Sequence, residues 1–221
     1  VSIAEWQTPM RLNETTRAFF ERLATISNEE DAARYRLILK GDEAGTAQEH
    51  LAVHEPRYYS TLHTSISPNI IGGGYRVNVI PSQTEATLDV RALPDEEMPR
   101  FLEQMRQLIN DPAITVEVAP GHTRPGAPPS SLHTDAFEVI EAMIKRHYGV
   151  ITLPIMSTGA TDMAYLRARG IQCFGIGPMI DSEDARKGYG AHSDQERILE
   201  EAIYKFVHFN YDVVVALAGK P

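Results

Sequence analysis

Pro154-Ile-Met-Ser-Thr-Gly-Ala-Thr-Asp162, then Ile171-Gln-Cys-Phe-Gly-Ile-Gly-Pro178, then Gly190-Ala-His-Ser-Asp194 are the pieces whose reading decides the fold. The first is a loop of small and hydroxyl residues that leads into a helix, Met163–Arg169, which Gly170 ends. The run Ile171–Ile176 is continuously apolar, as in a strand buried on both faces. Residues 179–189 are charged and glycine-bearing and read as a surface loop. A lone His192 follows, and Asp194 is placed to cap a last helix from Gln195 to about Ala216. On that helix Ile198, Leu199, Ala202, Ile203, Phe206 and Val207 are expected to face inward. Loops at strand ends that run into helix starts are where α/β proteins place binding and chemistry.

Working outward, the upstream chain is a simpler module. Phe19, Phe20, Leu23 and Ile26 recur at helical spacing, and Asn28 starts a second helix carrying Ala32, Ala33, Tyr35, Leu37 and Ile38. From Tyr58 to Leu93 the period changes to two. Tyr59–Ile66 alternates, and Glu85–Leu93 alternates with Ala86, Leu88, Val90 and Ala92 on one side. Between them, Gly72-Gly-Gly74 permits a bulge or a close backbone approach. A helix Met98–Ile109 and a strand Ile114–Val118 follow, giving a small α+β sandwich with helices on one face. Gly121–Ser130, rich in proline and glycine, reads as a linker or hinge. After it Thr134–Arg146 is an amphipathic helix.

The totals exclude several function classes. At 221 residues the chain suits one large or two small domains, and a hydrophobic fraction of 43% with 23% charged residues is ordinary for a globular protein. A formal net charge of -9 argues against nucleic acid, whose recognition rests on clustered Lys and Arg. The longest apolar candidate, Val213–Leu217, is far short of the ~20 residues of a membrane span. A single cysteine, Cys173, rules out an intrachain disulfide and a cysteine-rich zinc site. The compartment is not fixed. A start at Val1 rather than Met raises the possibility of a piece of something longer.

The candidate site residues each carry two readings. His192, before a helix cap and after flexible Gly188-Tyr-Gly190, can reach a cleft as a ligand or sit as a satisfied surface group. Ser157-Thr158-Gly159 offers hydroxyls and backbone amides to a carboxylate or oxyanion, or is an ordinary capped turn. It lacks the glycine-lysine spacing of a phosphate loop, and Ser157 lies in no nucleophile elbow. Arg91, at the end of an alternating strand, either clamps a carboxylate bidentately or pairs with Asp89 or Asp95. Asn78 either donates its amide to a ligand oxygen or is a turn asparagine. His133-Thr-Asp135 and His192-Ser-Asp194 spell metal-like pairs, but both aspartates stand at expected helix starts and are read as caps.

Taken together, Gly72-Gly-Gly-Tyr-Arg-Val-Asn-Val-Ile-Pro81, Glu85–Arg91, Ser157–Asp162, Gly175-Ile-Gly-Pro178 and Gly190-Ala-His192 followed by Glu196 resemble a family. It is that of the di-zinc exopeptidases and deacylases, which includes glutamate carboxypeptidase, acetylornithine deacetylase and succinyl-diaminopimelate desuccinylase. The resemblance spans about residues 58–215. It implies a ferredoxin-like lid (1–123, first strand missing) followed by the C-terminal part of an aminopeptidase-like α/β catalytic domain (124–221). It also implies a homodimer through the lid and a peptide or N-acyl amino acid substrate. His192 would be a zinc ligand, Asn78 and Arg91 would hold the substrate carboxylate, and Ser157, Thr158 and Gly159 would line the pocket.

The departures from the family pattern are equally informative. Its first His-x-Asp zinc pair, bridging aspartate and Glu-Glu pair have no counterpart. Glu29-Glu30, Glu96-Glu97 and Glu200-Glu201 stand in the wrong settings. The chain therefore reads as the C-terminal half of an enzyme that uses two zinc ions when intact. Alone it is expected to bind no zinc tightly and to hydrolyse nothing, since a catalytic zinc takes three protein ligands. The competing reading is a non-enzymatic dimerisation or scaffold module. A third, acyl transfer by Ser157, lacks a histidine at a recognisable partner spacing.

Overall fold

A computed structural model describes residues 3–121 and 123–219. The architecture is mixed α/β with a small two-stranded sheet. The chain falls into two compact units. One comprises residues up to Pro129 together with Pro154–Ile171, the other Ser130–Leu153 and the chain from Gln172 onward.

The first unit is built on a helical layer. Helix α1 (Glu14–Ile26) starts because Asn13 accepts the Thr16 amide while the Thr16 hydroxyl oxygen accepts the Asn13 amide, a reciprocal capping box. Helix α2 (Glu29–Leu39) is capped by Asn28, and its first-turn acids suit the helix dipole. Phe19, Phe20 and Leu23 of α1 bury against Ala32, Tyr35 and Ile38 of α2. Tyr58 of the short helix α4 (Pro56–Ser60) closes the aromatic cluster, with ring centroids 5.0 Å from Phe19 and 6.4 Å from Phe20. Helix α3 (Thr46–His54) is anchored by Asp42, whose buried carboxylate accepts the Gln48 amide at 2.8 Å.

Strand β1 (Ser65–Gly73) pairs antiparallel with β2 (Thr84–Arg91), from Ser65↔Arg91 to Gly73↔Thr84, with an irregularity between Pro68 and Ile70. The base of this ribbon is tied to the unit's core. Thr64 accepts the Leu93 amide and donates to Glu96, which also receives the Arg11 guanidinium at 2.6 Å. Beyond the base the ribbon is exposed, and so are Ile70, Ile71, Tyr75, Val77 and Ile80 at and near its tip. Helix α5 (Met98–Ile109) buries Phe101 and Met105, and Phe101 stacks on Trp6. Short helix α7 (Met163–Arg167) completes the unit.

The second unit packs α6 (Asp135–Tyr148) against α9 (Glu200–Ala218), with a short helix α8 (Ser182–Arg186) between them in sequence. Ile140, Phe209 and Val213 form its core, with Met143, Ile144, Phe174 and Phe206 packed on it. His147 Nε2 meets Asp212 Oδ2 at 2.8 Å beside this core.

Several expectations change. Residues 114–118 and 171–176 are irregular rather than strands, because among the described residues no neighbouring strand completes a ladder. Instead Arg106 donates to the Val116 carbonyl, and the Ser130 hydroxyl bonds both the carbonyl and the amide of Cys173. Tyr59–Ile66 is divided between the end of α4, a buried turn and the start of β1. The last helix begins at Glu200, not Gln195, so Asp194 caps nothing. Its buried positions are Phe209 and Val213, while Ile198, Leu199, Ile203 and Val207 are exposed. The cap of α6 is Thr134, which accepts the Phe137 amide, so Asp135 is the first helical residue rather than the cap.

Candidate functional site

Within the first unit the structure brings Arg91 beside the Ser157–Gly159 turn. Arg91 closes β2, and its terminal nitrogen reaches the Thr158 carbonyl at 3.4 Å. The turn is held from two sides. Asn13 contacts the Met156 sulfur through its side-chain amide at 3.2 Å while its oxygen caps α1. On the other side, the Gly159 amide donates to Ser157 Oγ at 3.1 Å. That amide is therefore already used internally, and the carbonyl, not an amide, faces the guanidinium. All three turn residues are exposed.

Arg91 is not idle. Its Nε and NH2 lie 2.9 and 2.8 Å from a single oxygen of Asp89, the pairing that its sequence reading allowed. Both side chains are substantially exposed, so the pair is worth only about 0–1 kcal/mol and yields readily to a better partner. A guanidinium with one weak carboxylate partner, on a strand end next to a hydroxyl-rich turn, is suited to receive a second carboxylate. Asn78 sits in a turn at the exposed tip of the ribbon, where the Val79 amide reaches the Arg76 carbonyl at 3.3 Å.

His192 belongs to the second unit. Its φ of 70° puts it in the left-handed region, where a non-glycine residue costs roughly 1–3 kcal/mol and persists only when its surroundings fix it. Its backbone amide donates to Glu196 Oε2 at 3.1 Å, and the imidazole is exposed. Nearby, Arg197 forks onto Asp184 with Nε at 3.0 Å from Oδ2 and NH2 at 2.5 Å from Oδ1. This fork holds the buried Asp184 carboxyl below the usual carboxylate range. Sequence reasoning missed both Asp184 and Arg197. Thirteen positions apart across a loop, they follow no period that would pair them.

The sequence of residues 16–117 matches a family described as a peptidase dimerisation domain. Among curated relatives, Aminoacylase-1B of Rattus norvegicus is 29% identical over 160 residues, and Aminoacylase-1 of Homo sapiens is 26% identical over 160 residues. Both alignments take in 72% of this chain and 38% of the relative. Together these matches support the M20 metallopeptidase family for this chain, over part of each relative's length. A further relative, Probable carboxypeptidase S-like 2 of Dictyostelium discoideum, is 22% identical over 162 residues, covering 72% of this chain and 30% of that protein. The chain thus spans about two fifths or less of the length of these M20 relatives. No solved structure matches.

The likeness to a metallopeptidase family raises the question of a metal. Among the described residues no group of three or more His, Cys, Asp or Glu side chains converges to hold one. His192 presents a single exposed donor, whereas a catalytic zinc takes three protein ligands. The described residues therefore offer one exposed imidazole and no complete set of ligands for such a site. Likewise, no described helix is long and apolar enough to cross a membrane.

Proposed function

We propose that this chain supplies the lid and the C-terminal catalytic segment of a metal-dependent peptidase or amidohydrolase, one that cleaves an amide bond next to a free carboxylate. In this reading residues 1–123 are a ferredoxin-like lid that pairs two copies, and residues 124–221 belong to an aminopeptidase-like α/β domain. The observation that carries it is Arg91, weakly paired at a strand end against the Ser157–Gly159 turn, in a chain whose relatives are aminoacylases and a carboxypeptidase-like protein. Arg91 would bind the carboxylate, and Asn78, at the opposite end of the ribbon from Arg91, would add its amide donor from a paired copy of the chain. Ser157, Thr158 and Gly159 would shape the pocket that orients the acyl or peptidyl group. The substrate is a peptide or an N-acyl amino acid.

His192 would be one ligand of a zinc site that holds two ions in the intact enzyme. Zinc supplies an activated water for attack on an amide carbonyl. The remaining ligands and the general base would come from beyond the described residues, so this chain alone is inactive and holds zinc weakly.

The test compares this chain with the same chain extended N-terminally to the length of its relatives. Zinc content and hydrolysis of N-acyl amino acids and dipeptides are measured for both. The proposal requires about two zinc ions per extended chain and activity lost in His192→Ala. Zinc binding and cleavage by this chain alone would overturn the claim that half the site lies elsewhere.

A second reading, a pairing module without catalysis, draws on the exposed apolar tip of the ribbon and the dimerisation-domain match. Metal-independent self-association of an extended chain that neither binds zinc nor cleaves would favour it.

A further inference from the structure

We infer that Asp184, Arg197 and Glu196 form a clamp that sets the backbone of His192 and leaves its imidazole presented, making them positioning residues. The inference rests on the reading of His192 as a site residue, and its test is separable from that reading. The loop Gly188–Arg197 closes on itself. The Tyr189 amide donates to the Asp184 carbonyl at 2.9 Å, and the Arg197 amide returns to the Tyr189 carbonyl at 3.3 Å. The Arg197 guanidinium binds the Asp184 carboxylate through two nitrogens and lies 4.6 Å from the centre of the Tyr189 ring. Start and end of the loop are thereby pinned to one residue, the start to the Asp184 carbonyl and the end to its buried carboxylate.

Inside this closure the turn is filled in. The Ser193 amide donates to the Gly190 carbonyl at 3.2 Å and the Glu196 amide to the Ser193 carbonyl at 3.1 Å. The Glu196 carboxylate then turns back to accept the His192 amide. A left-handed histidine is the product of this arrangement, and its bonds go through the backbone. No hydrogen bond to the His192 ring is formed by the loop residues named here. A planar fork over an aromatic ring is a geometry that arginine makes and lysine does not.

The experiment is NMR on the full chain, reading amide exchange at His192 and its HN–Hα coupling, which reports φ. Glu196→Ala is expected to speed His192 amide exchange by about three- to tenfold, the equivalent of one hydrogen bond. Glu196→Gln, which keeps a carbonyl acceptor, should restore most of the protection. Arg197→Lys keeps the charge but loses the fork, and should move the His192 coupling toward extended-chain values while Ile140 and Ile144 in α6 stay protected. An unchanged coupling and unchanged exchange in both Glu196→Ala and Arg197→Lys overturns the clamp. If the clamp behaves as expected but His192→Ala leaves zinc uptake by the extended protein untouched, the metal reading of His192 fails and the clamp stands.

Discussion

If Arg91 receives a substrate carboxylate, it must first release Asp89, and that competition fixes the sign and size of two substitutions. The existing pair is exposed on both sides and uses one carboxylate oxygen, which places it at about 0–1 kcal/mol. A bidentate, charge-assisted bond to a substrate carboxylate is worth about 1.5–3 kcal/mol. The difference, about 0.5–3 kcal/mol, is what Arg91→Ala removes, so KM should rise roughly two- to 160-fold with little change in kcat. Asp89→Asn frees the guanidinium and should lower KM, by up to about fivefold. The assay is steady-state hydrolysis of an N-acyl amino acid and of its carboxamide analogue by the N-terminally extended protein. The carboxamide, which carries no charge for Arg91 to meet, should be indifferent to Arg91→Ala. Equal losses on both substrates, or an Asp89→Asn effect in the same direction as Arg91→Ala, would refute the reasoning.

Three further predictions concern the fold and are read on this chain by urea denaturation. Phe20 is fully buried and meets Phe19, Tyr35 and Tyr58, so Phe20→Ala should cost about 3–5 kcal/mol, whereas a loss below about 1 kcal/mol would show that the helical layer is not packed as described. Asp42→Ala strands the Gln48 amide at the start of α3 and should cost about 1–3 kcal/mol; an unchanged midpoint would count against Asp42 as the anchor of that helix. Buried His63 donates from Nδ1 to the Thr8 carbonyl, and burial holds its pKa below the ordinary histidine value. Its stabilising share is therefore full above about pH 6.5 and is lost as the pH falls through the depressed folded value. His63→Asn, which keeps a donor for Thr8, should flatten the decline in stability between about pH 7 and pH 5; an undiminished decline would exclude His63 as its source.

Much of the helical layer was legible because its signals are local. Asn28 caps α2 as its sequence position indicates, and the apolar spacing of α1, α5 and α6 matches the helices that form. The alternation of Glu85–Leu93 likewise found β2. What failed depended on distant partners. An apolar run such as Ile171–Ile176 has the same composition whether or not a strand lies beside it, and here Ser130 takes the backbone bonds of Cys173 instead. The start of α9 moved from Gln195 to Glu200 because Glu196 and Arg197 are committed to His192, Tyr189 and Asp184 before the helix begins. At the candidate site, the nearness of Arg91 to the Ser157–Gly159 turn joins residues 67 positions apart, and no spacing rule reports it.

The bare ribbon also has a bearing on how the protein behaves at high concentration. Among the described residues each of its strands has one partner, so β1 leaves an edge that another chain could copy into a growing sheet. Pro68 lacks an amide hydrogen and Asn69 is the extra residue at the irregularity, which together divide that edge. What remains is Ser65–Ser67 on one side and Ile70–Gly73 on the other. The longer piece is four residues, two of them glycine, and falls short of the about six or seven that stacked cross-β assembly requires, so the eight-residue edge of β2 is the side on which such copying would start.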